Sequence, residues 1–163
     1  TKTTISATTS SLLWAEKDMK NNMLRATSQA MSAVIGGCDS LNILPFDTIN
    51  ETTKSYSKRV ASNVHHILKE ESYLDKVNDP SNGSYFIEHL SNTLAENSWE
   101  LFQSMEEKGG FIKCIENKFI ETEINKSAEK LKQDYKEGKI TVVGVNKYAQ
   151  EKSESELNIP KFN

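Results

Sequence analysis

Gly36-Gly37-Cys38-Asp39-Ser40-Leu41-Asn42-Ile43-Leu44-Pro45-Phe46-Asp47 is the stretch whose reading decides the fold. Just upstream, Met23, Leu24, Thr27, Ala30, Met31, Val34 and Ile35 recur at the three-and-four spacing of one helix face. A glycine just past the last periodic residue stops a helix, because glycine enters the left-handed region without a Cβ penalty. The apolar run from Leu41 to Phe46 then reads as a strand. A helix fed directly into a strand predicts an α/β protein, and in a parallel layout the chemistry sits where strands end. Around Asn42 to Asp47 the chain offers an amide, aliphatics, Pro45 and Asp47, with no histidine, thiolate or lysine.

On either side the same rhythm continues. Ile5-Ser6-Ala7-Thr8-Thr9-Ser10 is small and β-branched and predicts a short strand, and Asp18 is a candidate N-cap for the helix that follows. Beyond a polar loop from Asp47 to Thr53, a second helix is expected to bury Tyr56, Val60, Val64, Ile67 and Leu68. Lys76-Val77-Asn78 is a short strand candidate, closed by the turn signal Asp79-Pro80-Ser81-Asn82-Gly83. Ser84 suits the N-cap of a long third helix through Ile87, Leu90, Leu94, Leu101 and Met105, which Gly109-Gly110 ends. Phe111 to about Lys118 and about Ile120 to Glu137 read as two further helices, the last stopped by Gly138. Ile140-Thr141-Val142-Val143-Gly144-Val145 is the clearest strand by composition. Residues 149–163 are polar and aperiodic, which predicts a disordered tail. Strands alternating with long helices predict a largely parallel sheet.

Bulk properties narrow the function classes. The 163 residues suffice for one domain with a core, although the hydrophobic share of 36% is low. A formal charge of −3 gives no electrostatic case for nucleic acid or an anionic membrane. Between Glu116 and Lys139 six lysines are interleaved with six acids, the pattern of a solvated helix surface. No apolar run approaches the ~20 residues a membrane helix requires. Cys38 and Cys114 are expected as free thiols and the chain as cytoplasmic, since no secretion signal is seen. The opening Thr-Lys-Thr-Thr lacks an initiator methionine, which suggests a piece of something longer.

Chemistry-bearing constellations are sparse. His66 and Glu70 lie one helical turn apart, but no further ligands accompany them, so a solvated helix surface is the expected reading and no metal site is assigned. His65 and His89 have no partner nearby in sequence. No Gly-x-Ser-x-Gly elbow occurs, and Gly36-Gly37 and Gly109-Gly110 follow helices, whereas phosphate loops precede them. Asp79 to Ser84 does precede a helix, and an N-cap with a turn is expected there rather than an anion site. Trp14, Trp99, Phe102 and Tyr85-Phe86 are expected as packing groups.

Several segments, in order and at matching separations, carry a resemblance. They are Thr8-Thr9-Ser10, Asp18 with Asn22-Met23-Leu24-Arg25, and Ala30-Met31-Ser32-Ala33 leading to Gly36-Gly37. Leu68-Lys69-Glu70-Glu71, Asp79-Pro80 with Gly83-Ser84-Tyr85, Gly109-Gly110-Phe111, and Val143-Gly144-Val145-Asn146-Lys147-Tyr148 continue them. The chain to Tyr148 resembles the methylmalonyl-CoA mutase family of adenosylcobalamin-dependent isomerases. The resemblance implies that residues 1–148 are the C-terminal segment of the substrate-binding barrel domain. The implied fold class is α/β, a partial (β/α)8 (TIM) barrel with a few mostly parallel strands alternating with long helices. A complete barrel needs ~250 residues, so only its last strands and helices are present.

The departures from the family pattern fall at its working positions. Catalytic members carry a histidine where this chain has Ser6 and a glutamine where it has Thr8. Past the double glycine, a glutamine becomes Asp39 and a histidine becomes Asn42. Ser6 cannot exchange a proton near neutral pH as an imidazole can. The resemblance is therefore closest to the family's small-subunit type, with Ser6, Thr8, Asp39 and Asn42 as vestigial active-site positions and no catalytic residue. It implies a large catalytic subunit as heterodimer partner and adenosylcobalamin in the holoenzyme, with no cofactor bound by this chain. The chain alone is expected to be inactive. Two alternatives stay open: a fragment of a catalytic acyl-CoA mutase with altered specificity, and a stand-alone α/β interaction domain. A cut barrel leaves strand edges unpaired, so Ile140 to Val145 is expected to dock on a sheet edge, or the chain to self-associate through one.

Overall fold

The computed structural model describes residues 3–16, 18–50 and 53–149. They fall into two compact units, one of Thr1–Pro80 with Thr141–Asn163 and one of Ser81–Ile140.

The first unit is built on a parallel β-α-β element. Strand β1 (Ser6–Thr8) pairs in parallel with β2 (Ser40–Asn42), Ser6 opposite Ser40 and Thr8 opposite Asn42. Helix α1 (Asn21–Ile35) makes the crossover between them, as a parallel pair requires. It ends where the double glycine predicts, with Gly37 at φ 76°. Helix α2 (Ser55–His66) follows and runs on through a π-helical turn, Ile67–Glu71. Trp14, Ala26, Ala30, Ile43, Ala61, Val64 and Leu68 form the core, with Val34, Leu41, Leu44, Ile49 and Leu74 packed around it.

The buried stripes are smaller and more polar than periodicity suggested. On α1 the fully covered positions are Asn22, Ala26 and Ala30, while Leu24 and Met31 face solvent. On α2 they are Ser57, Ala61 and Val64, with Leu68 in the turn beyond, and Tyr56 and Ile67 are exposed. Small side chains let two helix axes approach closely, so close packing selects alanine and serine where hydrophobicity alone selects leucine and tyrosine. Asp18 is not the N-cap of α1. It takes φ 53°, its carbonyl accepts from Asn21 N at 3.0 Å, and its carboxylate accepts from Asn21 Nδ2 at 2.6 Å.

Two expected strands do not form. Lys76 to Asn78 lies in irregular chain. Ile140 to Val145, the strongest strand by composition, turns instead. Gly144 sits at φ 78° and its N–H donates to Lys147 O at 2.8 Å, while Asn146 Oδ1 accepts from Val142 N at 2.7 Å and Val142 O from Val145 N at 3.0 Å. The amides a sheet edge would need are spent locally, and only an isolated bridge, Val143 with Lys147, remains. The segment therefore docks on no strand edge. It is tied to α1, where Arg25 Nη2 donates to Val143 O.

The second unit is helical. Helix α3 (Tyr85–Glu107), α4 (Gly110–Glu116) and α5 (Phe119–Lys136) follow one another, divided at Gly109 (φ 97°) and at Lys118, a non-glycine residue at φ 60°. Cys114 is its one fully covered apolar side chain among the described residues, and Phe86, Trp99 and Phe102 are exposed rather than packed inside. Cys38 and Cys114 are free thiols. The α/β class holds with two parallel strands, and a closed barrel is not formed by these residues. Most of the polar tail, 150–163, lies outside the described residues, as does the Glu51-Thr52 pair of the loop.

Candidate functional site

Side chains alternate across a strand, so a two-stranded sheet has one face for each parity. Leu41 and Ile43 turn to the helices, where Ile43 is buried and Leu41 half-buried against the core. Ser6, Thr8, Ser40 and Asn42 occupy the opposite face, all exposed. Three of the four residues singled out from sequence, Ser6, Thr8 and Asn42, are thus brought together on one polar surface. Ser40, which sequence reading passed over, joins them: its hydroxyl donates to Ser6 Oγ at 2.8 Å.

Asp39 is placed differently. Its main-chain N–H donates to Ile5 O at 2.8 Å, and its carboxylate accepts from Ile5 N at 2.9 Å. This two-way clasp closes the N-terminal end of the strand pair. At the other end Thr9, almost fully buried, donates its N–H to Asn42 O at 3.0 Å, and its hydroxyl accepts from Leu44 N at 2.9 Å. The face is therefore held at both ends by hydrogen bonds, one main-chain pair and one side-chain acceptor at each.

Beyond the strand ends, Asn22 anchors the two loops. It is fully buried and donates from Nδ2 to Ala15 O (2.9 Å) and Phe46 O (3.2 Å), while Oδ1 accepts from Ala15 N (3.1 Å) and Arg25 Nη1 (2.9 Å). Asp47, also buried, accepts from Lys54 N at 3.0 Å just ahead of α2. The signal for these residues was polarity on an inward helix face or at a strand end, where a buried polar group must find partners.

The surface offers hydroxyls and an amide that can hold a polar ligand by hydrogen bonds. It offers no imidazole, thiol or lysine. His65 and His66 end α2 and His89 lies on α3, all exposed. His66 and Glu70 gain no companions: among the described residues no group of three or more His, Cys, Asp or Glu could hold a metal ion. The turn before α3 is already filled, because Glu88 Oε1 accepts from Gly83 N at 2.8 Å and Ser84 makes no side-chain cap. No described helix is long and apolar enough to cross a membrane.

The sequence matches the family profile described as methylmalonyl-CoA mutase over residues 1–163. It is 40% identical over 131 residues to the methylmalonyl-CoA mutase small subunit of Porphyromonas gingivalis, covering 80% of this chain and 21% of that protein. The probable methylmalonyl-CoA mutase small subunit of Mycobacterium tuberculosis is 34% identical over 149 residues, 88% of this chain and 24% of that protein. The mitochondrial methylmalonyl-CoA mutase of Bos taurus is 38% identical over 140 residues, 86% of this chain and 19% of that protein. The chain thus spans between 19% and 24% of the length of these relatives.

Proposed function

The chain belongs to the methylmalonyl-CoA mutase family, and from that premise we propose that it is a barrel segment of a small, non-catalytic subunit that supports a large catalytic one. The observation that carries this reading is the strand face. Barrel interiors are ordinarily filled by bulky branched side chains, whereas Ser6, Thr8, Ser40 and Asn42 make a row of small polar groups. Such a row suits a surface once meant to face a polar substrate. It has no group able to move a proton near neutral pH, and the Asp39 carboxylate is engaged with its own backbone at Ile5.

The family's adenosylcobalamin finds no ligand set here. None of the three histidines stands in an Asp-x-His-x-x-Gly motif, and none lies at a strand end. We therefore place the adenosylcobalamin of the proposed holoenzyme on the large partner. The isomerisation of methylmalonyl-CoA, the heterodimer and a cytoplasmic location come to this chain as parts of the same proposal. Relatives named as small subunits of that mutase support the first two.

The test is an assay of the intact polypeptide that carries this chain, with adenosylcobalamin and methylmalonyl-CoA, alone and mixed with a large subunit. No turnover alone and turnover with the partner is the expected result. Turnover by the polypeptide alone would support a catalytic mutase of altered specificity instead.

A further inference from the structure

A pocket of about 500 Å³ opens beside α1, bounded by Leu13, by Leu24 and Arg25, and by the turn at residues 141–143. Its size falls in the range of small-molecule sites, roughly 300–1,000 Å³. None of Ser6, Thr8, Asp39 or Asn42 lines it.

Its polar lining groups are nearly all committed to the protein. Gln29 accepts from Ser10 N at 2.8 Å and donates to Ser10 O at 3.2 Å. Ser28 donates to Arg25 O at 3.0 Å, and Asn21 Nδ2 to the Asp18 carboxylate at 2.6 Å. Arg25 differs in carrying a charge. Among the described residues it is the single charged side chain in the lining, and its two hydrogen bonds go to neutral acceptors, Asn22 Oδ1 and Val143 O. A guanidinium carries five N–H donors, so donors remain for a ligand. Burial lowers the Arg25 pKa, and the Asp18 carboxylate opposes that shift. A half-buried charge without a hydrogen-bonded counter-ion favours an anion.

We propose that this pocket binds a monocarboxylate with a short aliphatic chain. The carboxylate takes the free edge of the Arg25 guanidinium, which matches a two-oxygen acceptor. The aliphatic chain lies against Leu13 and Leu24 and covers Leu24, which is 68% exposed. One arginine between apolar walls suits a single negative charge, whereas a phosphate dianion calls for further cations.

Titration calorimetry on the intact polypeptide, with octanoate, octanol and inorganic phosphate as probes, tests this. Octanoate is expected to saturate. Octanol and the Arg25→Gln variant are each expected to bind about tenfold more weakly, the loss of one charge-assisted hydrogen-bonded pair. Arg25→Gln also removes the tie to Val143, so Leu24→Asp, at an exposed position, serves as a second variant and is expected to abolish octanoate binding. Failure of octanoate to saturate, equal binding of octanol, tighter binding of phosphate, or unchanged affinity in Leu24→Asp would each overturn the proposal.

Discussion

Asn22 joins three parts of the fold at one side chain: two loops and an arginine hang on its carboxamide, and none of its surface reaches water. Truncation leaves Ala15 N, Ala15 O and Phe46 O without that partner, and an orphaned buried group costs about 1–3 kcal/mol. Asn22→Ala is therefore expected to destabilise the fold by about 3 kcal/mol in denaturant unfolding, and an effect under about 0.5 kcal/mol would refute the role. Asn22 and Arg25 were visible in sequence only as members of a matched stretch. Their function as a junction was not, because helix periodicity scores apolar residues and ignores a buried amide. Asp39 illustrates the reverse case. Its substitution was legible as the loss of an amide, but the carboxylate's bond to Ile5 N required the register of the strand pair.

At the scale of elements, the turn at residues 142–147 shows why strand propensity failed. Val142, Val143 and Val145 favour extended chain, yet Gly144 takes φ 78° and leaves no room for a side chain, since an added Cβ would lie 2.7 Å from Asn21 Nδ2 and 3.0 Å from Asp18 Oδ2. Gly144→Ala is expected to cost roughly 1–3 kcal/mol through strain and displacement. Hydrogen exchange of the Gly144 and Val145 amides should quicken in that variant, and unchanged protection would contradict the packing. Helix termini, by contrast, were legible at Gly36-Gly37, Gly109-Gly110 and Gly138, because a positive φ leaves a residue-type signature. At the end of α5, Glu137 Oε2 lies 2.6 Å from Lys139 Nζ, and Glu137 Oε1 accepts from Gln133 Nε2 at 2.8 Å. These bonds, Lys139's first, hold the Glu137 carboxyl below its ordinary 4.5. A depressed carboxylate stabilises the fold above its unfolded value and loses that contribution as pH falls through the folded one. The last turn of α5 should therefore loosen on acidification below 4.5. Lys139→Ala should raise the Glu137 pKa in a carboxyl NMR titration, and an unmoved titration would show that the pair does not form.

Across the whole molecule, the α/β class and the helix order followed from glycines and periodicity, while closure of a barrel could not, because the chain spans between 19% and 24% of its relatives' length. Self-association through strand edges stays a proposal, now resting on the outer edges of β1 and β2, three residues each, because Ile140 to Val145 turns instead. What remains for partnership is the family relationship and the polar strand face. If that face is a retired active site, its side chains no longer contribute to turnover. Asp39→Asn keeps an acceptor for Ile5 N, and Ser6→Ala and Asn42→Ala change exposed positions, so the fold should tolerate all three. The decisive measurement is kcat and KM of the proposed heterodimer assembled with these three substitutions in the subunit carrying this chain. Both constants are expected to stay within about twofold of the unsubstituted enzyme, whereas a fall in kcat of about 100-fold, the loss that removal of a proton-transfer group brings, would contradict a non-catalytic role.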